Sequence, residues 1–100
     1  MDFIKEEIIT TCLLYMKTHG LLDQGWCIKV SNSKKTLGLT EYDTKTIKIS
    51  KYCYYVEDAI TDTILHEIAH VIAGYENAHN EIWKDVALNI GCSGNVCADW

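Results

Sequence analysis

The sequence contains no proline and no arginine, so its nine basic residues are all lysine. The lack of proline excludes a proline-rich linker, and no internal repeat or low-complexity tract divides the chain. Fourteen acidic residues bring the formal net charge to −5. A field of that sign does not attract nucleic acid, so the composition argues against a protein that binds nucleic acid through its overall charge.

Long apolar runs are also absent, since no stretch reaches the roughly 18–20 residues of a membrane-spanning helix. The first seven residues are acidic and amphipathic, whereas a signal peptide begins with basic residues and an apolar block. A hydrophobic content of 48% and 23% charged residues are typical of a globular protein, and 100 residues suit one core. We expect a single domain over residues 1–100 in a soluble, intracellular, cytoplasmic monomer without membrane contact.

The five cysteines are an odd number, and their spacing does not indicate a secreted disulfide framework. Most are therefore expected to be reduced and partly buried. Cys92 and Cys97 have two interpretations, either as two unconnected thiols or as a disulfide or half a metal site.

A local excess of positive charge lies between positions 29 and 51. Against Glu41 and Asp43, six lysines leave a balance of +4 there: Lys29, Lys34, Lys35, Lys45, Lys48 and Lys51. This patch is either a surface that faces phosphate groups or a solvated sheet face whose outward positions are lysine. The first interpretation would allow DNA as a partner.

The spacing of apolar residues predicts the early elements. Intervals of three and four predict a first helix over residues 2–18, ended by Gly20, with the stripe Ile4, Ile8, Cys12, Tyr15 and Met16. From Trp26 the period is two, which predicts a strand. Residues 37–42 and 46–50 are joined by a turn composition typical of a hairpin, and Gly38 indicates a bulge or a close backbone approach.

Two later helices follow from the same periodicity. One is predicted to begin near Glu57 or Asp58, with the buried stripe Ile60, Ile64, Ile68, Val71 and Ile72. The other is predicted to bury Ile82, Trp83, Val86, Ala87 and Ile90 before it ends at Gly91, with Trp83 bracing the two helices. The pattern predicts an α+β fold with an N-terminal helix, a small three-stranded antiparallel sheet, the helix that contains His66 and His70, and a C-terminal helix.

A metal site is predicted from the run His66-Glu67-Ile68-Ala69-His70, which lies inside the first of these two helices. Residues four apart lie about 6 Å apart along a helix and about 40° apart around it, so His66 and His70 share one face. Two imidazoles so placed can bind one zinc ion at roughly 2.0–2.1 Å each. Glu67 can accept a proton from metal-bound water, which is the role of a general base.

A catalytic zinc needs a third protein ligand, and His79 is the candidate because the remaining histidine, His19, lies far away in the first segment. In an unbroken helix His79 would lie about 13 Å beyond His70 and on the opposite face. Gly74 is a typical C-terminal stop, and the four residues after it form a turn that can return His79 to the metal.

These residues resemble the SprT-like zinc metallopeptidase domain, a family that includes Spartan. The likeness is carried by the His66–His70 motif, by His79 followed four residues later by Trp83, and by Ile90-Gly91. Upstream, it includes Trp26, Leu37-Gly38-Leu39 and Ile47-Lys48-Ile49-Ser50, so that it covers about residues 10–95. The chain departs from the family in having Asn80 where glycine is usual, which is expected to alter only the local turn. It also has only Cys92 and Cys97 where many members carry a four-cysteine zinc ribbon.

The resemblance implies a zincin-like fold and a zinc-dependent endopeptidase. It implies one Zn²⁺ per chain on His66, His70 and His79, with Glu67 as the catalytic base. A protein or peptide substrate would lie along an exposed strand edge. Spartan-type members digest proteins crosslinked to DNA, so the resemblance also implies a role in DNA repair.

Two alternatives remain. One is a zinc-stabilised module that binds protein or nucleic acid without cutting it, although Glu67 argues against it because a structural zinc needs a fourth protein ligand and no base. The other is a repressor-cleaving peptidase of the ImmA/IrrE type, with Glu76, Glu81 or Asp85 as third ligand. A stand-alone domain of this size would also fit a virus or mobile element, whose product would act in the host cytoplasm.

Overall fold

The computed structural model describes residues 3–55, 59–77 and 79–92. These residues form helix α1 (Phe3–Thr18), strands β1 (Cys27–Ser31), β2 (Gly38–Glu41) and β3 (Thr46–Ser50), and helices α2 (Ala59–Ala73) and α3 (Glu81–Asn89). Short 3₁₀ segments at Leu22–Gln24, Lys51–Tyr55 and Tyr75–Asn77 lie between them. The predicted α+β class is confirmed. Within the described ranges, no helix combines the length and apolar character needed to cross a membrane.

Helix α1 buries the predicted apolar stripe. Ile8, Cys12 and Met16, spaced by four residues, are fully buried, and Ile4 and Tyr15 pack against them from the edges of the stripe. The helix ends at Thr18 and the chain then turns at residue 20, the predicted stop, whose φ is +79°. Residue 2, where the helix was predicted to start, lies outside the described residues.

The sheet has the strand order β1-β3-β2 and is mixed, so the prediction of an antiparallel sheet was wrong. β2 and β3 form the predicted antiparallel hairpin, with Gly38 opposite Ile49. β1 runs parallel to β3, with Ile28 opposite Ile47. β3 is the central strand and the most buried of the three. This agrees with its apolar residues Ile47 and Ile49, because a central strand has a neighbour on both sides. The segment after β1 must then carry the chain to the far edge, which leaves β1 and β3 pointing the same way.

Helix α2 lies between the two apolar clusters of the core. The main cluster joins Ile47 and Ile49 of β3 to Ile64 and Ile68 of α2 and to the stripe of α1. A smaller cluster packs α2 against α3 and consists of Leu65, Ala69, Trp83, Ala87 and Cys92. Because it is covered from both sides, α2 buries every residue from Thr63 to His70.

Two residues of the predicted apolar faces are exposed. Ile72 retains 48% of its accessible surface because the buried segment of α2 ends at His70 and the last turn projects beyond it. Ile82 retains 55% because α3 packs through Trp83 and Ala87, and Ile82 lies about 100° around the helix from Trp83. The predicted start of α2 near Glu57 or Asp58 lies outside the described residues.

Three of the cysteines differ sharply in exposure. Cys12 and Cys53 are buried thiols, whereas Cys27 is exposed on β1. Burial raises the pKa of the Cys12 thiol to about 12, with the neighbouring Cys53 adding to the effect. Cys97 lies outside the described residues, so neither interpretation of its relation to Cys92 is tested.

Candidate metal centre

Three histidines from two parts of the chain meet at one point. His66 and His70 lie one turn apart on α2, and His79 precedes α3. The Nε2 atom of His66 lies 3.2 Å from that of His70 and 3.0 Å from that of His79. The His70 and His79 Nε2 atoms are 3.0 Å apart. The structure therefore brings together the histidines that the sequence pattern singled out as metal ligands.

The return of His79 depends on a break in the helix at the predicted place. α2 ends at Ala73, and Gly74 adopts a φ of +95° while its amide donates to the carbonyl of His70 at 3.0 Å. A single 3₁₀ turn follows, and the Asn77 side chain donates to the carbonyl of Ala73 at 2.7 Å. His79 itself has a φ of +55°, a left-handed conformation that is uncommon for a residue with a side chain. This strained backbone conformation occurs at the residue whose imidazole turns toward α2.

Asn80 then starts α3. Its Oδ1 accepts a hydrogen bond from the Trp83 amide at 3.1 Å, which is the contact of an N-cap residue. Its Nδ2 donates to Oδ1 of Asn77 at 2.8 Å, which ties the cap to the turn before it. The expectation that Asn80 alters only the local turn therefore missed its capping role. An asparagine directly before the acidic first turn of a helix is the signal that would have revealed it.

The indole ring of Trp83 packs against all three imidazoles. It is fully buried, and its ring centroid lies 4.6 Å from that of His66, 5.3 Å from that of His70 and 5.0 Å from that of His79. Its Nε1 donates to the backbone carbonyl of His66 at 3.4 Å. The prediction that Trp83 braces the two helices is confirmed.

The imidazoles carry the charge state that a metal requires. Burial lowers the pKa of His66 to about 3, and its two histidine neighbours lower it further in the same direction. Burial, followed by the effect of His79, lowers the pKa of His70 to about 4, and burial also lowers that of His79. All three rings are therefore neutral at pH 7, which is the form that binds metal ions.

The donor set fits a tetrahedral ion such as zinc. Two ligands of an ion with bonds of 2.0–2.1 Å in tetrahedral geometry lie about 3.3 Å apart, close to the observed separations of 3.0–3.2 Å. Three neutral imidazoles whose Nε2 atoms converge cannot all satisfy one another by hydrogen bonding, because each Nε2 is either a donor or an acceptor. A cation shared by their lone pairs resolves this conflict.

The carboxylates proposed as alternative third ligands do not join this group. Among the described residues, the group of side chains close enough to share an ion consists of His66, His70 and His79. Glu76, Glu81 and Asp85 are not members of it. Within that part of the chain no fourth side chain belongs to this group.

Glu67 lies beside the histidines and is almost completely buried, with 2% of its surface accessible. Its Oε2 is 4.0 Å from Nε2 of His66, and its Oε1 accepts a hydrogen bond of 2.8 Å from the hydroxyl of Thr40. Burial raises the pKa of Glu67 to about 7, although the Thr40 hydrogen bond lowers it in part. A carboxylate with its pKa near neutrality can both take up and release a proton at that pH.

Strand β2 packs against Glu67 through Gly38 and Thr40. Because Gly38 has no side chain, the strand can approach the Glu67 carboxylate closely. A Cβ atom on Gly38 would lie 2.7 Å from Oε2 of Glu67 and 2.7 Å from Cγ2 of Thr63. The prediction that Gly38 marks a close approach is confirmed. Thr40 was missed, although it lies two residues from Gly38 and so faces the same side of the strand.

A cavity of about 560 Å³ opens beside β2 and the end of α2. It is lined by residues 40–44 and by Tyr75, whose ring meets that of Tyr42 edge to face at 5.5 Å. The Tyr42 hydroxyl donates to the carbonyl of His70 at 3.1 Å. The cavity therefore lies next to the helix that carries the histidines and has room for side chains of a bound molecule.

A sequence model of the SprT-like family matches residues 10–99, which is most of the chain. No curated protein and no solved structure matches it.

Proposed function

The chain belongs to the SprT-like family, and on that premise we propose that it is a zinc-dependent endopeptidase. One observation carries the proposal, namely that three neutral imidazoles converge within 3.0–3.2 Å of one another beside a buried carboxylate. A site that only stabilised the fold would need a fourth protein ligand and no adjacent base. The described residues have a base and no such fourth ligand in the group.

His66, His70 and His79 would hold the zinc ion through their Nε2 atoms. Imidazole nitrogen also suits copper, iron and nickel, so the donor type alone does not select zinc. Three protein nitrogens with one position left open is the arrangement found in catalytic zinc sites. When bound, zinc would lower the pKa of a water molecule toward about 7 and polarise the carbonyl of the peptide bond.

Glu67 would move the proton of the reaction. Its Oε2 accepts a proton from the attacking water as the water oxygen bonds to the carbonyl carbon. The same atom then gives that proton to the leaving nitrogen as the carbon–nitrogen bond breaks, so that one carboxyl and one amine result. Burial, which raises the pKa of this carboxyl, favours its taking up a proton from the water.

The substrate would be an extended peptide alongside β2. The strand order makes β2 an edge strand of the sheet, and Thr40 on this strand contacts Glu67. A peptide that adds to an exposed edge gains main-chain hydrogen bonds and presents alternate side chains to pockets. The cavity lined by residues 40–44 and Tyr75 would receive one such side chain. The family membership directs the search for substrates to proteins held on DNA.

The test begins with metal content. Purified protein should contain about one zinc per chain, and His79→Ala should lose it or bind it much more weakly, because two imidazoles remain of three. His19→Ala is the matched control, since His19 lies at the end of α1, outside the histidine group. A native protein without zinc, or a His79→Ala variant that retains it, would refute the ligand assignment.

Catalysis is tested separately with Glu67→Gln. This variant should keep its zinc and lose cleavage of unfolded and DNA-bound proteins by a factor of about 100 or more, because the base contributes roughly 10²–10⁴-fold. Glu81→Gln, an exposed change at the start of α3, should cleave like the native protein. Full activity of Glu67→Gln would show that the base is misassigned. Zinc binding without any cleavage by the native protein would favour the binding module.

A further inference from the structure

The hydroxyl of Thr40 lies within reach of two hydrogen-bond acceptors, both on Glu67. Its Oγ1 lies 2.8 Å from Oε1 of Glu67 and 3.4 Å from the backbone carbonyl of the same residue. A hydroxyl has a single proton to donate. The shorter contact, which is also the stronger one for a charged acceptor, is to the carboxylate.

The two oxygens of the Glu67 carboxylate are therefore not equivalent. Oε1 is bonded to Thr40, whereas Oε2 has no hydrogen-bond partner within the described part of the chain, although it is buried. Oε2 is also the oxygen that lies 4.0 Å from Nε2 of His66, on the side of the three histidines. The carboxylate is held by one oxygen and presents the other to the site.

Gly38 provides the space that makes this arrangement fit. Its own φ is not positive, so the backbone conformation does not require glycine here. The requirement is steric, because a Cβ atom would approach Oε2 to 2.7 Å, a distance that real Cβ atoms do not adopt. Any side chain at this position would push the carboxylate away from where Thr40 holds it.

We propose that Thr40 is a positioning residue that fixes Glu67 through Oε1, so that Oε2 becomes the proton-accepting atom, and that Gly38 leaves the space for this orientation. The role of Oε2 as proton acceptor rests on the proposed peptidase function. Thr40 keeps its own proton throughout, while Oε2 takes the proton of the attacking water and passes it to the leaving nitrogen. Geometric control of a catalytic group by a neighbour is a large part of enzyme pre-organisation.

The first test compares Thr40→Val with Thr40→Ser. Valine has nearly the shape of threonine without the hydroxyl, and serine keeps the hydroxyl. We expect Thr40→Val to lower kcat by about 10-fold or more with KM within about 2-fold, because only transition-state positioning is lost. Thr40→Ser should stay within about 3-fold of the native kcat, and zinc content should be unchanged in both. Thr18→Val is the control, since it removes a hydroxyl that donates to Leu14 on α1.

Native kcat in Thr40→Val, or equal loss in Thr40→Val and Thr40→Ser, would overturn the inference. The Gly38→Ala variant adds a steric test, because it should lower kcat while Thr40 remains intact. If Gly38→Ala is well folded and has native kcat, the proposed role of Gly38 is wrong.

A second measurement does not depend on cleavage. Protein loaded with Co²⁺ in place of zinc has a visible absorption spectrum that responds to groups next to the open coordination position. We expect Thr40→Val and Glu67→Gln to shift this spectrum and Thr40→Ser to leave it unchanged. A spectrum unaffected by Thr40→Val would overturn the inference whatever Glu67→Gln does. If no peptide is cleaved but Thr40→Val shifts the spectrum, the peptidase proposal fails and the positioning of Glu67 by Thr40 stands.

Discussion

The support that Trp83 gives to the histidines can be tested by Trp83→Phe. The change keeps an aromatic ring under the imidazoles but removes the Nε1 donor to the His66 carbonyl and part of a fully buried side chain. Phenylalanine is smaller by roughly 40 Å³, and at about 24 cal/mol per Å³ the cavity alone costs about 1 kcal/mol. The lost hydrogen bond costs about 1 kcal/mol more.

The expected loss is therefore about 2 kcal/mol in the free energy of unfolding. This should be measured by urea denaturation in the presence of EDTA, where it would lower the midpoint by about 1 M for a domain of this size. Zinc affinity, measured by competition with a chelating dye, should fall by about 10-fold because the rings lose their fixed orientation. Ile82→Ala is the control, since Ile82 precedes Trp83 on the same helix and is 55% exposed. If Trp83→Phe were no more destabilised than this control and bound zinc equally well, the bracing argument would be refuted.

Three further predictions follow from the cap, the thiols and the metal. Asn80→Ala should lower the free energy of unfolding by about 1 kcal/mol and Asn80→Asp by much less, as measured by thermal denaturation, because aspartate also caps a helix; equal losses would contradict the capping role. Iodoacetamide at pH 8 should modify Cys27 well before Cys12 and Cys53, because burial raises the pKa of both buried thiols. Mass spectrometry would follow the reaction, and early modification of Cys12 would contradict its packing. Removing zinc with EDTA should lower the melting temperature by roughly 10 °C or more, because zinc at 100 times its Kd adds about 2.7 kcal/mol to the free energy of unfolding. An unchanged melting temperature would show that the histidines hold no ion.

The parts of the fold that could be predicted from the sequence are those governed by local patterns. Each of three features depends on residues close together in the sequence: the stripe of α1, the hairpin of β2 and β3, and the stop at Gly74. The approach of His79 to His66 and His70 could be predicted because an unbroken helix would carry His79 away from them and Gly74 is a stop signal between them. Their role as metal ligands stays a prediction.

What could not be predicted depends on long-range packing. The direction of β1 relative to β3 is decided by which strand takes the buried centre, and alternation within β1 does not contain that information. The contact between Thr40 and Glu67 joins residues 27 apart along the chain. It becomes visible only when β2 is placed against α2, although Gly38 already indicated that something lies close to this strand.

The site is built from two halves that rely on different parts of the core. The three histidines are held by α2, α3 and the smaller cluster around Trp83, whereas Glu67 is held where α2 meets β2. Trp83 contacts the histidine rings, whereas Thr40 contacts the Glu67 carboxylate, so we expect changes at these two residues to act on different parts of the site. Loosening Trp83 should weaken the hold on the metal and leave the carboxylate in place, whereas removing the Thr40 hydroxyl should do the reverse. The two changes therefore test whether the proposed metal binding and the proposed proton transfer depend on different contacts, although His66 and Glu67 are neighbours on one helix.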